Sequence, residues 1–322
     1  MNTGVPVLSS GGKMDTIRWV HLSDIHFSAD ENNEMKRMRD SLLEKLWEMS
    51  QEHEFDAVFI TGDLTYQGGY YDFNLKKFIE ALIYLLKLTP DELFIIPGNH
   101  DLARSHSRDL AVAETRKSGF EYEKEIIGQL QKDFSKYNIF YRKIKNEEAQ
   151  YIYKVITKDK FNVFLMNTAF TSGTDEDEGK LILEKGSFYK EIRKLKDQEN
   201  CINIAAGHHP VNWFSESDQQ IIWKNFNNFN IDFYLCGHMH KGAYNFNSSG
   251  GRGIPSFQCG SGKAERDTAV TFSTGEVDIS AKKGRLTSYK WLVKEARWAS
   301  GGLEGRRAAS GVLDLILERF CS

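Results

Sequence analysis

The chain has 322 residues, of which 40% are apolar and 27% are charged, and its net charge is -3. This composition is typical of a folded protein with a substantial core, and it excludes an intrinsically disordered chain. The small acidic net charge gives no electrostatic reason to expect nucleic acid or an anionic membrane as an obligatory partner. No apolar run approaches the roughly 20 residues that a membrane-spanning helix needs, and no signal segment precedes the first strand, so we predict a protein without a membrane partner.

Three segments follow from the patterning of the chain. Residues 1–15 are small and unpatterned, and we expect them to be flexible. From residue 16 to residue 298, apolar strand-like runs alternate with helical patterns, which indicates a single α/β domain. The predicted strands are Ile17–Leu22, Phe55–Thr61, Leu93–Pro97, Tyr151–Thr157, Phe161–Asn167, Ile202–Ala206 and Ile231–Cys236. The predicted helices are Asn33–Glu52, Tyr70–Leu88, a broken Glu121–Lys145, Leu183–Lys196 and Asp218–Phe229.

The pattern changes after His240. The stretches "IPSFQCG", "TAVTFSTGEVDIS" and "RLTSYKWLVKEARW" alternate apolar and polar residues, which predicts antiparallel strands that close a second sheet. The fold class is therefore predicted as α/β, a two-sheet β-sandwich flanked by helices. Residues 299–322 read as a linker and an amphipathic tail, expected to be a helix docked on the domain or the start of a part that continues in a longer chain.

Two further features concern surroundings and surface. Four cysteines lie far apart without CxxC spacing: Cys201, Cys236, Cys259 and Cys321. They predict free thiols rather than a disulfide framework, and hence a reducing cytoplasm. The acidic stretch "TSGTDEDEGK" (171–180) is interpreted either as a solvated surface turn or as a mobile flap beside a functional site.

One arrangement occurs five times: an apolar strand followed by a turn with metal-ligand residues. The five stretches are "WVHLSDIH", "AVFITGD", "LFIIPGNHD", "INIAAGHHP" and "DFYLCGHMH". Open α/β sheets place their chemistry beyond the carboxyl ends of strands. Because strand residues alternate between faces, His238 and His240 are expected to point the same way. Glycines at 62, 98, 207 and 237 are expected to permit the sharp turns.

The residue types favour a pair of transition-metal ions. The candidate ligands are Asp24, His26, Asp63, Asn99, His208, His238 and His240. Seven are too many for one ion, whereas two ions that share one carboxylate would use them all. Nitrogen and carboxylate ligands suit manganese, which we expect first, or iron or zinc. Two aspartates against two divalent ions leave a positive site that attracts phosphate and makes hydroxide available at neutral pH.

Two neighbouring residues are predicted to act in catalysis. Asn99 contributes a neutral oxygen that preserves the positive charge of the site. His100 is followed by Asp101, and a carboxylate near the imidazole would stabilise its protonated form. We therefore predict that His100, supported by Asp101, protonates the departing alkoxide or stabilises transition-state charge without binding a metal.

In this order, "SDIH", "GDL", "GNHD", "GHHP" and "GHMH" resemble the calcineurin-like metallophosphoesterase family. The resemblance implies a four-layer α/β/β/α sandwich with a two-metal site. It assigns one ion to Asp24, His26 and His240, the other to Asn99, His208 and His238, and both to Asp63. It also makes His100 the catalytic histidine. "NTAFTSGTDEDEGKLILEKGSF" further resembles a bacterial branch often placed at the front of multidomain signalling or defence proteins.

These observations lead to a functional hypothesis with two alternatives. The leading prediction is a dinuclear metal-dependent phosphodiesterase that hydrolyses a nucleotide or another small phosphodiester by attack of a metal-bridging hydroxide. The alternatives are a metal-dependent nuclease, which the acidic net charge disfavours, and a binding or regulatory module of a larger signalling protein. In "GHHP" we expect His208 to be the ligand and His209 to contact substrate or pack.

Overall fold

The computed structural model describes residues 16–28, 32–66, 71–120, 123–149, 151–174, 176–195, 201–247, 252–262, 270–304 and 310–317. The segment 1–15, predicted to be flexible, lies outside the described residues. In this part of the chain two mixed seven-stranded sheets pack face to face, and helices cover both outer faces. Among these residues, no helix has the length and apolar character needed to cross a bilayer.

The first sheet is parallel at one end and antiparallel at the other. Its strands are β1 (Thr16–Leu22), β2 (Ala57–Thr61), β3 (Leu93–Ile96), β10 (Thr271–Asp278), β11 (Lys283–Leu292), β12 (Arg297–Ser300) and β14 (Val312–Ile316). They follow the order β12-β11-β10-β1-β2-β3, and β14 also pairs with β11. Strands β1, β2 and β3 run parallel, so their carboxyl ends meet at one edge.

The second sheet repeats this design. Its strands are β4 (Tyr153–Thr157), β5 (Phe161–Met166), β6 (Ile202–Gly207), β7 (Phe233–Cys236), β8 (Gly242–Asn247), β9 (Ile254–Gln258) and β13 (Leu303–Glu304). Their order is β13-β8-β9-β7-β6-β5-β4, with β5, β6, β7 and β9 parallel. Alternate residues of both sheets form the core between them, where Trp19, Phe59 and Phe94 meet Val163, Ile204 and their neighbours.

Helices occupy both outer layers, which completes the predicted four-layer sandwich. They are α1 (Asn33–Glu52), α2 (Phe73–Leu85), α3 (His106–Ser118), α4 (Glu123–Lys132), α5 (Ser135–Lys145), α6 (Lys185–Ile192) and α7 (Glu216–Asn228). Helices α1, α2 and α5 cover the first sheet, and α3, α4, α6 and α7 cover the second. Side chains before the first turn set two of the starts: Asn32 accepts from Met35 N, and Asp72 accepts from Leu75 N.

The strands after His240 divide between the two sheets, so the expectation that they close the second sheet holds only for some of them. Strand β9 extends the second sheet beside β7, whereas β10, β11 and β12 extend the first sheet beside β1. Alternating sequence predicts a strand with one buried face but not the sheet to which it belongs, because that choice depends on distant partners.

The helix expected in the C-terminal tail is also wrong for the described residues. Strand β14 pairs antiparallel with β11, and β13 pairs with β8, so both sheets continue past residue 298. In "VLDLIL" the buried residues are Leu313, Leu315 and Leu317, which point into the core between the sheets. This spacing of two is that of a strand, and the apolar Val312 and Ile316 on the other face obscured it. Residues 318–322 lie outside the described part.

The acidic stretch 171–180 is anchored by a buried carboxylate. Asp177 accepts hydrogen bonds from Ser172 Oγ, Gly173 N and Thr174 N, and it pairs with Arg116 of helix α3. We call Ser172, Gly173, Thr174 and Asp177 the Asp177 turn. Exposed residues surround it, but Asp177 itself is fully buried. The expectation of a wholly solvated turn is therefore wrong at this residue.

Candidate metal centre

The predicted ligands converge where parallel strands of both sheets end. Strands β1, β2 and β3 are followed by Asp24, Asp63 and Asn99, and strand β6 is followed by His208. Strand β1 is also followed by His26, and strand β7 is followed by His238 and His240. We call the seven side chains the donor cluster: Asp24, His26, Asp63, Asn99, His208, His238 and His240. Because both sheets are parallel here, five turns that are distant in sequence meet at one point.

Left-handed backbone, not strand alternation, orients most of these side chains. Five non-glycine residues of the cluster have φ between 47° and 73°: Asp24, His26, Asp63, His238 and His240. Strand β7 ends at Cys236, so the expectation that His238 and His240 share a strand face is wrong. A non-glycine residue in this region costs about 1 kcal/mol or more, and such strain is concentrated at functional sites.

The glycines of the motifs serve two different purposes. Gly62 has φ 94°, which favours glycine on conformational grounds. Gly98 has no such conformation; a Cβ added there would lie 2.8 Å from Asp63 Cγ. Its role is therefore to let two strand-end turns approach each other, rather than to permit a sharp bend as predicted.

Four residues form the first half of the donor cluster. The ligand atoms of Asp24, His26, Asp63 and His240 all lie within 4.8 Å of one another. His26 Nε2 is 3.0 Å from His240 Nε2, and His240 Nε2 is 3.3 Å from Asp24 Oδ1. His26 Nε2 is 3.9 Å from one oxygen of each aspartate. Two imidazoles and two carboxylates thus face a common point.

The second half is built around the amide oxygen of Asn99. This Oδ1 lies 3.0 Å from His208 Nε2 and 3.0 Å from His238 Nδ1. His208 Nε2 is also 3.4 Å from Asp63 Oδ2. Asp63 therefore contacts both halves, in the position that a shared carboxylate would need.

Two buried oxygens of the cluster lack hydrogen bonds, and this makes the site suitable for cations. Asp24 Oδ1 and Asp63 Oδ2 have no hydrogen-bond partner, although both side chains are buried. The other oxygen of each aspartate is fixed, since Asp24 Oδ2 accepts from His238 N and Asp63 Oδ1 accepts from His100 N. A buried carboxylate oxygen without a partner is costly. Nitrogen and oxygen donors of this kind match first-row transition ions.

The buried negative charge of Asp24 and Asp63 also favours positive charge in the cluster. Burial alone would raise the pKa of Asp63, but the imidazoles of His208 and His26 hold that pKa well below its usual range. Burial opposes protonation of His208, yet the carboxylates of Asp63 and Asp24 raise its pKa to about 9. Burial lowers the pKa of His238 to about 3. A proton on His208 thus neutralises part of the negative charge of the two aspartates, and bound cations would neutralise all of it.

Asp101 has a different position from the predicted one. Its carboxylate accepts hydrogen bonds from Leu64 N, Thr65 N, Gly98 N and the hydroxyl of Tyr71, at 2.8–3.2 Å. Burial and the neighbouring Asp63 raise its pKa to about 6. The carboxylate therefore holds the turns after β2 and β3 together, and its described hydrogen bonds do not include the His100 imidazole. These contacts give Asp101 a structural role, and its catalytic support of His100 stays a prediction.

His100 lies at the mouth of the site. It is half-buried, as are His238 and His240, whereas the other members of the donor cluster are buried. Its ring contacts His26 edge-on at 5.1 Å between centroids and stacks on Tyr66 at 5.2 Å. Tyr66, which is 45% exposed, forms the rim beside it, and Met239, between His238 and His240 in the chain, is 42% exposed. Solvent thus reaches the cluster on the side of His100.

His209 and Thr168 complete the surroundings of His208. His209 is buried, and it belongs to a second donor group with His208 and His238 whose ligand atoms lie within 4.8 Å. Its Nδ1 is 3.1 Å from Thr168 Oγ1, which also accepts from the backbone N of both histidines. Of His208 and His209, only His208 has a hydrogen-bond or ion-pair contact with Asn99 and with Asp63 in the described part of the chain, at 3.0 Å and 3.4 Å. Thr168 escaped prediction, although its position just after strand β5 parallels that of the predicted ligands.

The fold and this cluster define the class of the protein: an α/β sandwich with a histidine–aspartate site at the strand ends. The sequence profile of the calcineurin-like phosphoesterase family matches residues 17–242, and the chain belongs to that family. Membership of this family indicates a hydrolase that acts on phosphoesters, and the family typically binds two divalent metal ions. The family predicted from the motifs is thus confirmed.

Two relatives illustrate the similarity. An uncharacterized metallophosphoesterase-like protein, YydB of Bacillus subtilis, is 28% identical in an alignment that covers 94% of this chain and 66% of that protein. The chain thus spans slightly less than two thirds of the relative's length. A dimetal phosphatase from Danio rerio has the same fold, with a TM-score of 0.50, 11% identity and coverage of 94% of this chain and 99% of its own.

Proposed function

We propose that the protein is a dinuclear metal-dependent phosphodiesterase that hydrolyses a nucleotide or another small phosphodiester. One observation carries the proposal: two buried carboxylate oxygens without hydrogen bonds lie among four imidazoles and an amide oxygen, in two adjoining groups that Asp63 contacts. In a purely structural role these aspartates would be compensated in part, by one backbone hydrogen bond each and by a proton on His208.

The donor cluster divides between two ions. Asp24, His26 and His240 would hold one ion, and Asn99, His208 and His238 would hold the other. Asp63, which contacts both halves, would be shared. Manganese is the first candidate for both positions, with iron or zinc as alternatives. When bound, such ions supply positive charge for the phosphate oxygens and lower the pKa of water.

His100 supplies the proton for the leaving group. It stands at the mouth of the site, and its backbone N donates to Asp63 Oδ1 at 2.8 Å, which ties it to the shared carboxylate. Its imidazole is half-exposed and can meet an ester oxygen that leaves the phosphorus. General acid catalysis of this kind is worth about 10²–10⁴-fold in rate.

The rim favours a diester over a monoester. A diester carries an organic group on each of two ester oxygens, and both groups need contacts outside the metal centre. Tyr66 at the mouth provides a large, half-exposed surface for one such group, and the exposed Met239 lies between two ligands in the chain. This supports a nucleotide or similar small diester as the substrate.

The test is a hydrolysis panel with the purified protein. Cyclic nucleotides, dinucleotides, nucleic acids and artificial mono- and diesters are incubated with manganese, iron, zinc or a chelator. We expect manganese-dependent turnover of diesters. In Asp63→Asn, turnover should fall to the level of the chelated wild-type protein. The matched control is Asp159→Asn, an exposed aspartate in the turn before strand β5, at the opposite end of the sheet.

Each outcome of the panel decides a part of the proposal. Monoester turnover alone would reject the diester preference, and fast cleavage of long nucleic acids would favour a nuclease. Wild-type turnover by Asp63→Asn would reject the shared-ligand role. Metal binding without hydrolysis of any phosphoester would favour a binding module over an enzyme.

A further inference from the structure

Tyr66 contacts the imidazole that we assign to leaving-group protonation, although it belongs to neither the donor cluster nor the motifs. Its ring is nearly parallel to that of His100, with an interplanar angle of 17° and centroids 5.2 Å apart. The same Tyr66 ring meets His26 edge-on at 5.8 Å, and His26 meets His100 edge-on at 5.1 Å. We call His26, Tyr66 and His100 the three-ring cluster.

The backbone before Tyr66 is fixed by the first metal-site turns. Asp101 accepts from the backbone N of Leu64 and Thr65, and Thr65 bridges to Phe27, the residue after His26. Thr65 is fully buried, whereas the Tyr66 side chain emerges at the rim. The Asp101 carboxylate therefore sets the place from which Tyr66 reaches His100.

The three-ring cluster restricts the orientation of His100. In the contacts described, the His100 imidazole is held by ring packing, while its backbone N is held by Asp63. An imidazole can rotate about χ2 over a broad range, and only packing or hydrogen bonds limit that rotation. A face-to-face contact with Tyr66 and an edge contact with His26 leave one plane in which the imidazole fits.

From this geometry we propose that Tyr66 is a positioning residue, which holds the His100 imidazole in the plane required to meet the leaving-group oxygen. The inference rests on the proposed function of His100 as the proton donor. A displacement of about 1 Å at a reacting group can cost on the order of 10²-fold in rate. The ring of Tyr66, rather than its hydroxyl, carries this role.

The kinetic test compares Tyr66→Leu, which removes the ring, with Tyr66→Phe, which keeps it. Tyr66→Leu should lower kcat about tenfold with KM nearly constant, in the range found when the support of a catalytic group is lost. Tyr66→Phe should restore most of this loss. Tyr84→Leu, in the highly exposed tyrosine of helix α2, is the matched control and should have no effect.

A double variant shows whether Tyr66 acts through His100. Tyr66→Leu combined with His100→Gln should be no slower than His100→Gln alone, because the group that Tyr66 positions is then absent. Additive losses, a rise in KM as the main effect, or equal losses in Tyr66→Phe and Tyr66→Leu would each overturn the proposal.

A spectroscopic measurement separates this proposal from the proposed function. In metal-free protein, the carbon-bound protons of the His100 ring should show a ring-current shift, assigned by comparison with His100→Gln. That shift should persist in Tyr66→Phe and lose the Tyr66 contribution in Tyr66→Leu, where only the smaller effect of the His26 ring is left. If the shift behaves so but no phosphoester is hydrolysed, the contact stands and the enzymatic role fails. If Tyr66→Leu leaves the shift in place, the stacking itself is absent.

Discussion

Two buried acidic regions of this molecule differ in how their carboxylates are compensated. In the Asp177 turn, one buried aspartate receives hydrogen bonds from two backbone N–H groups and two hydroxyls, and an ion pair from Arg116. In the donor cluster, Asp24 and Asp63 each keep a buried oxygen without a hydrogen bond. A buried charge needs compensation in either case.

The difference teaches how to distinguish a structural acid from a ligand. The Asp177 carboxylate stabilises a loop, and its local partners are supplied by the chain itself. The donor cluster instead places its open oxygens beside imidazoles: burial lowers the pKa of His26 and His238, whereas the two aspartates raise the pKa of His208. Imidazoles beside open carboxylate oxygens suit a cation from outside the chain, which would displace the proton of His208.

The largest expected effect on stability lies at the fully compensated acid. Asp177→Ala should lower the free energy of unfolding by about 4 kcal/mol, because it leaves two backbone N–H groups, two hydroxyls and the Arg116 guanidinium without their acceptor. Urea denaturation in the presence of a chelator measures this. The loss should be the same with metal present. A loss below about 1 kcal/mol would mean that the turn does not depend on this carboxylate.

Particular residues show how much of this contrast could be predicted from the sequence. The donors follow strands whose apolar runs are unmistakable, so Asp24, Asp63 and Asn99 could be placed at one sheet edge. Asp177 could not be distinguished from its exposed acidic neighbours. It pairs with Arg116, 61 residues earlier in the chain, and no local pattern reports such a pairing.

The same limit explains the errors in orientation and sheet assignment. His238 and His240 converge through left-handed turns that φ angles reveal but strand periodicity does not. Strand β14 alternates as a strand should, yet its apolar outer face resembles an amphipathic helix. Local periodicity predicts elements, whereas the partner of a strand and the backbone of a turn depend on tertiary contacts.

The second effect concerns metal binding and should appear only in the donor cluster. At a manganese concentration 100 times the dissociation constant, wild-type protein should gain about 3 kcal/mol of stability. Asp63→Asn should lose most of this gain, while Asp177→Ala, though weaker overall, should keep it. Thermal unfolding with manganese or chelator compares the three proteins. Equal stabilisation of Asp63→Asn and wild type would show that the ion binds elsewhere.

A third prediction uses pH to separate the two regions. The folded-state pKa of His208 is raised from 6.5 to about 9, so its stabilising contribution is complete below pH 6.5 and is lost as pH rises towards 9. With chelator, the wild-type protein should lose on the order of 2 kcal/mol between pH 6.5 and pH 8.5 relative to His208→Gln. This difference between the two proteins cancels titrations elsewhere in the chain.

Metal should reverse that pH dependence. Metal ions compete with protons for the imidazoles, so the affinity of the protein for manganese should increase as pH rises. Asp177→Ala should show the same pH dependence as wild type, since its turn contains no histidine. If chelated wild type and His208→Gln follow the same curve over this range, the proton does not reside on His208.

The smallest effect tests the partner of Asp177 rather than Asp177 itself. Arg116 is partly exposed, and the Asp177 carboxylate keeps its hydrogen bonds from Gly173 N and Thr174 N when the arginine is gone. Arg116→Met, which retains the aliphatic part of the side chain, should therefore cost only about 1 kcal/mol. Urea denaturation of Arg116→Met, Asp177→Ala and the double variant measures the coupling between the two residues. If Arg116→Met costs as much as Asp177→Ala, the ion pair compensates the buried charge. In that case local backbone donors would be insufficient on their own, and the donor cluster would need its cations even more strongly.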